Sequence, residues 1–151
     1  MKIKIEVPHI KLKRHIEGHE GMHPPKKPGD IGYDLLSSED FELPPHGSSA
    51  HAFIIPAGCS MKIPDGYFCM IMGRSSTARR GIGIQTAVID SEYVGPLFGC
   101  AWNMTDRVIK IAKGERIAQA VFFPSCVFPI KEVEELPVTE RGATGFGSTG
   151  C

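Results

Sequence analysis

From residue 51 to residue 134 the chain alternates short apolar runs with turn residues, at the spacing of a β sandwich or barrel rather than of helices. The pattern predicts strands at Ala52–Ile55, Ser60–Ile63, Tyr67–Met72, Thr86–Ile89, Pro96–Trp102, Val108–Ile111, Ile117–Phe123 and Phe128–Val133. Pro56-Ala57-Gly58, Pro64-Asp65-Gly66, Asn103–Asp106 and Lys113-Gly114-Glu115 read as the turns between them. Phe68-Cys69-Met70-Ile71-Met72 is apolar at every position, as expected of a strand covered on both faces. Met1 to Val7 alternates charged and apolar residues, so it reads as a strand and lacks the unbroken apolar core of a signal peptide. No stretch approaches the ~18 apolar residues of a membrane span. The expected class is all-β.

Two segments break the alternation. Residues 8 to 32 carry His15, His19 and His23 at intervals of four, which on a helix would put three imidazoles on one face and suggest a metal site. Gly18, Gly21 and the Pro24-Pro25 pair oppose a helix there, so a surface loop is the stronger expectation. The second break follows Met72. Ser75 or Ser76 can cap a single turn, Thr77-Ala78-Arg79-Arg80, stopped by Gly81. With Arg74 in front, that turn reads either as an anion site or as a capped surface turn.

Length and composition narrow the classes further. A chain of 151 residues fits one domain, which at this size buries about 68–70% of its unfolded surface. Seventeen Lys and Arg balance seventeen Asp and Glu, which argues against a general nucleic-acid binder. Cys59, Cys69, Cys100, Cys126 and Cys151 are an odd, widely spaced set without a CxxC pair, so reduced thiols in a cytoplasmic compartment are expected. Residues 140–151 hold four glycines and end in Gly145-Phe146-Gly147-Ser148-Thr149-Gly150, a formal GxGxxG. A dinucleotide fold needs a helix and a second strand after that motif, and one residue follows it here. The expected reading is a β domain over residues 1–139 and a glycine-rich arm over 140–151. That arm offers backbone amides, hydroxyls, an aromatic ring and Arg141 to a phosphate chain and a base.

Five ordered segments now align with one family. Gly32-Tyr33-Asp34-Leu35, Gly73-Arg74-Ser75-Ser76-Thr77-Ala78, Ala87-Val88-Ile89-Asp90-Ser91-Glu92-Tyr93-Val94-Gly95, Gly114-Glu115-Arg116-Ile117-Ala118-Gln119 and Arg141-Gly142-Ala143-Thr144-Gly145-Phe146-Gly147-Ser148-Thr149-Gly150 resemble, in turn, the five motifs of the trimeric dUTP pyrophosphatases (dUTPases). Three positions depart from the usual pattern: Ala87 and Thr144 where the family usually has Gly, and Val94 where it often has Arg or Gln. Residues 10–27 are also longer and richer in His. The related dCTP deaminases need a glutamate three residues before an Asn; counted back from Asn103 that position is Cys100, and a thiol does not replace a proton-shuttling carboxylate. A non-catalytic nucleotide-binding module on the same fold is the other competitor, disfavoured because the family's catalytic residue types are all present.

The resemblance implies a distorted jelly-roll barrel, a homotrimer whose sites are shared between subunits, and hydrolysis of dUTP to dUMP and pyrophosphate with Mg2+. It implies Asp90 as the base that orients the attacking water. Arg74, Ser75 and Ser76 would hold the α- and β-phosphates, with Gln119 supporting them. Backbone groups of Thr86, Ala87 and Val88 would read uracil, and Tyr93 would pack on the deoxyribose. Asp34 would hold Mg2+ through water, and Arg116 would either take part in the site or be structural, paired with a carboxylate such as Asp34. Arg141, Gly147, Ser148 and Thr149 would close on the γ-phosphate while Phe146 stacks on the base. A cytoplasmic location, or the host cytoplasm or nucleus for a viral source, would follow, with neither nucleic acid nor membrane as partner.

Overall fold

A computed structural model of the chain describes residues 7–143. Among these residues the elements are β1 (Lys11–Arg14), β2 (Met22–His23), β3 (Tyr33–Leu36), β4 (Phe41–Leu43), β5 (Phe53–Lys62), β6 (Tyr67–Met72), α1 (Ser75–Arg79), β7 (Ile82–Ile84), β8 (Ala87–Ile89), β9 (Pro96–Asn103), β10 (Ile109–Ile111) and β11 (Arg116–Pro124). They form an antiparallel four-stranded sheet in the order β1-β5-β9-β7 and a five-stranded one in the order β2-β3-β11-β6-β8. A β10-β4 pair completes the set. The fold is all-β, a jelly-roll arrangement in which both large sheets supply one core. Leu35, Ile55, Ile71, Leu97 and Ile117, from β3, β5, β6, β9 and β11, are each at most 2% exposed and belong to a single cluster.

Strand alternation explains which side chains reach that core. Along β9, Leu97, Gly99, Ala101 and Asn103 point inward, while Phe98 and Trp102 stay exposed. Ile54, level with Cys100, adds to this outer apolar face.

Three features differ from the pattern expected of the sequence. Pro56-Ala57-Gly58 is not a turn but an irregularity inside the single strand β5, whose register against β9 shifts between Pro56 and Ser60. Gly58 takes φ +65° there, and a Cβ on it would lie 2.8 Å from the Ser38 Cβ, so a bulge rather than a reversal uses the glycine. Phe128–Val133 forms no strand: Phe128 and Ile130 are exposed and pair with nothing within the described chain. Residues 8 to 32 are not a free loop, since β1 and β2 add to the two sheets and His19 is buried. The strand expected at Met1–Val7 lies almost wholly outside the described residues.

Candidate active site

One row across the five-stranded sheet organises the polar site. Strand register sets Asp34 of β3 beside Gln119 of β11, and Gln119 beside Met72 of β6. Met72 is followed at once by Gly73 and Arg74, so three of the sequence segments meet at one sheet end. Gln119 donates from Nε2 to the Gly73 carbonyl at 2.9 Å, tying β11 to the residue before Arg74. Gly32 lies against the end of the Gln119 side chain, and a Cβ at that position would push the Gln119 amide aside.

Arg74 leans onto Asp34, Nε to Oδ1 at 2.7 Å, with both side chains 20% exposed. Arg116 reaches the other oxygen, Oδ2, at 3.4 Å, so a single carboxylate serves two guanidiniums. The Arg74 fork also donates to Ser76 Oγ at 2.9 Å and to the Arg116 carbonyl at 3.3 Å. Behind it, the buried Thr77 hydroxyl accepts from the Arg74 amide at 3.1 Å and donates to the Arg74 carbonyl at 2.8 Å. The cap of α1 is therefore Arg74 itself, not Ser75 or Ser76. A five-residue helix ending at Gly81 (φ +81°) carries too small a dipole to bind an anion by its end. Attraction for an anion here comes from side chains.

These groups line a cleft of about 650 Å³ that includes Asp34, Arg74, Ser75, Arg116 and Gln119. Lys26 and Lys27 line it too, on the loop joining β2 to β3, and nothing in their local sequence marks them for that role. The loop is braced by Pro24, Pro25 and a turn in which Asp30 N donates to Lys27 O at 3.1 Å, with Gly29 at φ +89°. Four cationic side chains thus face Asp34 and Asp30, a local positive surplus on a chain with none overall.

A second cleft of about 240 Å³ holds Ala87, Val88, Asp90, Tyr93 and Phe98. It forms where β8 pairs with β6, Ile71 opposite Ala87 and Cys69 opposite Ile89. Tyr93 donates its hydroxyl to the Pro96 carbonyl at 2.9 Å, and Gly95 leaves room for the ring, which a Cβ there would approach to 2.5 Å. The Ala87 methyl packs on the core while lining the cleft, so this position accommodates it. Asp90 is exposed, and its carboxylate has no partner among the described residues.

The remaining expected site residues are spread more widely. Thr86 is exposed at the turn before β8 and lines neither cleft; nor does Ser76. Arg141 is exposed near a turn closed by Gly142 N on Thr139 O at 3.1 Å. Phe146, Gly147, Ser148 and Thr149 lie outside the described residues. The three spaced histidines do not converge: His15 bonds Ser60 Oγ at 2.9 Å, His19 the Ala57 carbonyl at 3.0 Å, and His23 Glu20 at 2.8 Å. No group of three or more His, Cys, Asp or Glu among the described residues could hold a metal ion. Asp34, alone and already paired, suits only an ion held chiefly by phosphates and water, which is how Mg2+ is commonly bound. Cys100 offers no carboxylate, and Asn103 is buried in structural bonds to the carbonyls of Leu43 and Arg107, at 3.0 and 2.7 Å. Burial pushes the Cys59 thiol up to about 11 and the Cys69 thiol to about 12, leaving both neutral and unreactive.

Comparison with known proteins identifies the family. The dUTPase family model matches residues 19–150. The deoxyuridine 5'-triphosphate nucleotidohydrolase of Dictyoglomus turgidum is 39% identical over 125 residues, covering 81% of this chain and 85% of that protein. The structure of the Staphylococcus bacteriophage 80alpha dUTPase with dUpNHpp superposes with a TM-score of 0.84 at 28% identity, over 95% of this chain and 99% of that one. A phage phi11 dUTPase structure that concerns coordination of a structural Mg(II) ion shares the fold, with a TM-score of 0.73 at 23% identity over 84% and 97%. The chain belongs to the dUTPase family.

Proposed function

We infer that this chain is a dUTP diphosphatase, hydrolysing dUTP to dUMP and pyrophosphate and so lowering dUTP while supplying dUMP for thymidylate synthesis. The observation that carries the reading is the sheet row Asp34–Gln119–Met72, which delivers Arg74, Arg116 and Ser75 into one cationic cleft. A triphosphate repels its own nucleophile, so the reaction needs charge neutralisation and a positioned water.

In our assignment Arg74 and Ser75 meet the α- and β-phosphates from the cleft, and Ser76 joins them through its bond to Arg74. Gln119 acts one step back, holding the Gly73 carbonyl so that Arg74 starts from a fixed backbone. The backbone of Thr86, Ala87 and Val88 reads the uracil edge, and the Tyr93 ring packs on the deoxyribose, excluding a 2′-hydroxyl. Asp90 takes the proton from the water that attacks the α-phosphorus. Asp34 would hold a Mg2+ ion through its water shell, and that ion would supply further neutralisation of the triphosphate charge. The arm over residues 140–151 would add Arg141, Gly147, Ser148 and Thr149 at the γ-phosphate and Phe146 over the base.

A homotrimer with shared sites fits three observations. The described chain keeps the Asp34–Arg74 cleft and the Asp90–Tyr93 cleft as two separate hollows. Val127, Phe128, Ile130, Leu136 and Val138 are 76–100% exposed, a large apolar area for one chain to leave in water. Phe98, Trp102 and Ile54 add an apolar sheet face. Four free cysteines among the described residues support a reducing cytoplasm, or the host cytoplasm or nucleus for a viral source.

The test is pyrophosphate release across dUTP, dCTP, dTTP and UTP with Mg2+. Release confined largely to dUTP is expected, with no ammonia from dCTP. Ammonia from dCTP, or no turnover of dUTP, would overturn the reading.

A further inference from the structure

Asp90 sits on the six-residue crossover, Asp90 to Gly95, that carries the chain from β8 in one sheet to β9 in the other. With no side-chain partner among the described residues, its carboxylate can be aimed only through its backbone. Two of the bonds that shape the crossover are local to it: Tyr93 N donates to Asp90 O at 3.1 Å, and the Tyr93 hydroxyl to Pro96 O. The bonds from elsewhere in the fold are made by Lys62, the last residue of β5. Its ammonium donates to the Ser91 carbonyl at 2.9 Å and to Glu92 Oε1 at 3.1 Å, and also to Asp65 Oδ1 at 2.9 Å and the Ile63 carbonyl at 3.2 Å.

We propose that Lys62 is the positioning residue for the catalytic base: it clamps the Ser91–Glu92 peptide, one residue past Asp90, to the four-stranded sheet and so sets where the Asp90 carboxylate stands. The proposal rests on the assignment of Asp90 as base. Glu92 and Asp65 are 86% and 89% exposed, so their ion pairs with Lys62 are screened and add little to stability. The bond to the Ser91 carbonyl differs, because it restrains main chain adjacent to the base. Three donor hydrogens shared among four acceptors also leave the ammonium with no other task.

The role separates from a merely structural one by kinetics. Lys62→Met should lower kcat about 10- to 100-fold, since a displacement of ~1 Å in a reacting group costs that much. KM for dUTP and the melting temperature should stay near those of the parent. The double variant Asp65→Asn/Glu92→Gln keeps the ammonium on the Ser91 carbonyl and should hold kcat within about twofold. In an Asp90→Asn background, Lys62→Met should add no further loss, because the group it positions is gone. An unchanged kcat in Lys62→Met, or an equal loss with and without Asp90, would overturn the proposal. Failure of the underlying assignment looks different: Asp90→Asn would then turn over normally by itself.

Discussion

The two clefts are built by opposite means. Around Asp34 the central groups, Asp34, Gln119, Arg116 and Arg74, sit on or just after strands whose register sets them side by side, and Asp34 pairs with both arginines. Around Asp90 the chain is a crossover between sheets, exposed and tethered by Tyr93 and Lys62. The contrast is physical sense. Binding a polyanion needs charge held still on a stiff frame, whereas a base must approach a reacting atom at the edge of that frame. The register half should therefore answer to substitution mainly in affinity, and the crossover half mainly in rate.

The largest expected effect lies in the crossover. Asp90→Asn should reduce kcat by ~10²–10⁴, the usual worth of a general base, while binding of a non-hydrolysable dUTP analogue measured by calorimetry stays close to that of the parent. Loss of binding alongside rate would erase the division. Deleting residues 140–151 should come next: severely reduced turnover, with the melting temperature unchanged in calorimetry. A truncated protein with full activity, or one that no longer folds, would remove the arm from the account.

On the register side, Asp34→Asn should raise the Mg2+ concentration for half-maximal rate about 10- to 100-fold, as loss of an outer-shell carboxylate does. A Mg2+ titration of the variant checks this, and an unshifted curve would leave Asp34 as a partner of the arginines only. Smallest should be Lys26→Gln/Lys27→Gln. Charges at a rim act through long-range attraction, so KM for dUTP should rise a few-fold at low salt and converge on the parent's value at high salt, with kcat unchanged. A salt-independent change, or a lower kcat, would put those lysines in contact with the reacting groups.

The same contrast decides what could be read from the sequence. Strand β6 is legible to the residue and β8 to β11 nearly so, because apolar runs bounded by turn residues mark them off. Strands β1, β3 and β7 show no pattern of their own and are held by the long partners β5, β11 and β9, while β2 and β4 pair with the short strands β3 and β10. Phe128–Val133 has strand composition, yet within the described chain nothing pairs with it, so propensity alone does not make it one. Asp34, Arg74, Asp90 and Gln119 were visible as motifs. Lys26, Lys27 and Lys62 were not, since their importance lies in what three-dimensional packing sets beside them.

In the trimer proposed above, the two clefts complete each other between copies of the chain. Arg74→Ala and Asp90→Asn, mixed after dissociating and reassociating their subunits and assayed at a dUTP concentration low enough that each alone turns over little, put this arrangement to the test. If one copy supplies the cationic cleft and another the base, random reassortment of equal amounts should restore about a quarter of parental activity, since each shared site needs one intact half from each variant. Activity no greater than that of the separate variants would mean that both halves of the site belong to a single chain, and would contradict the account.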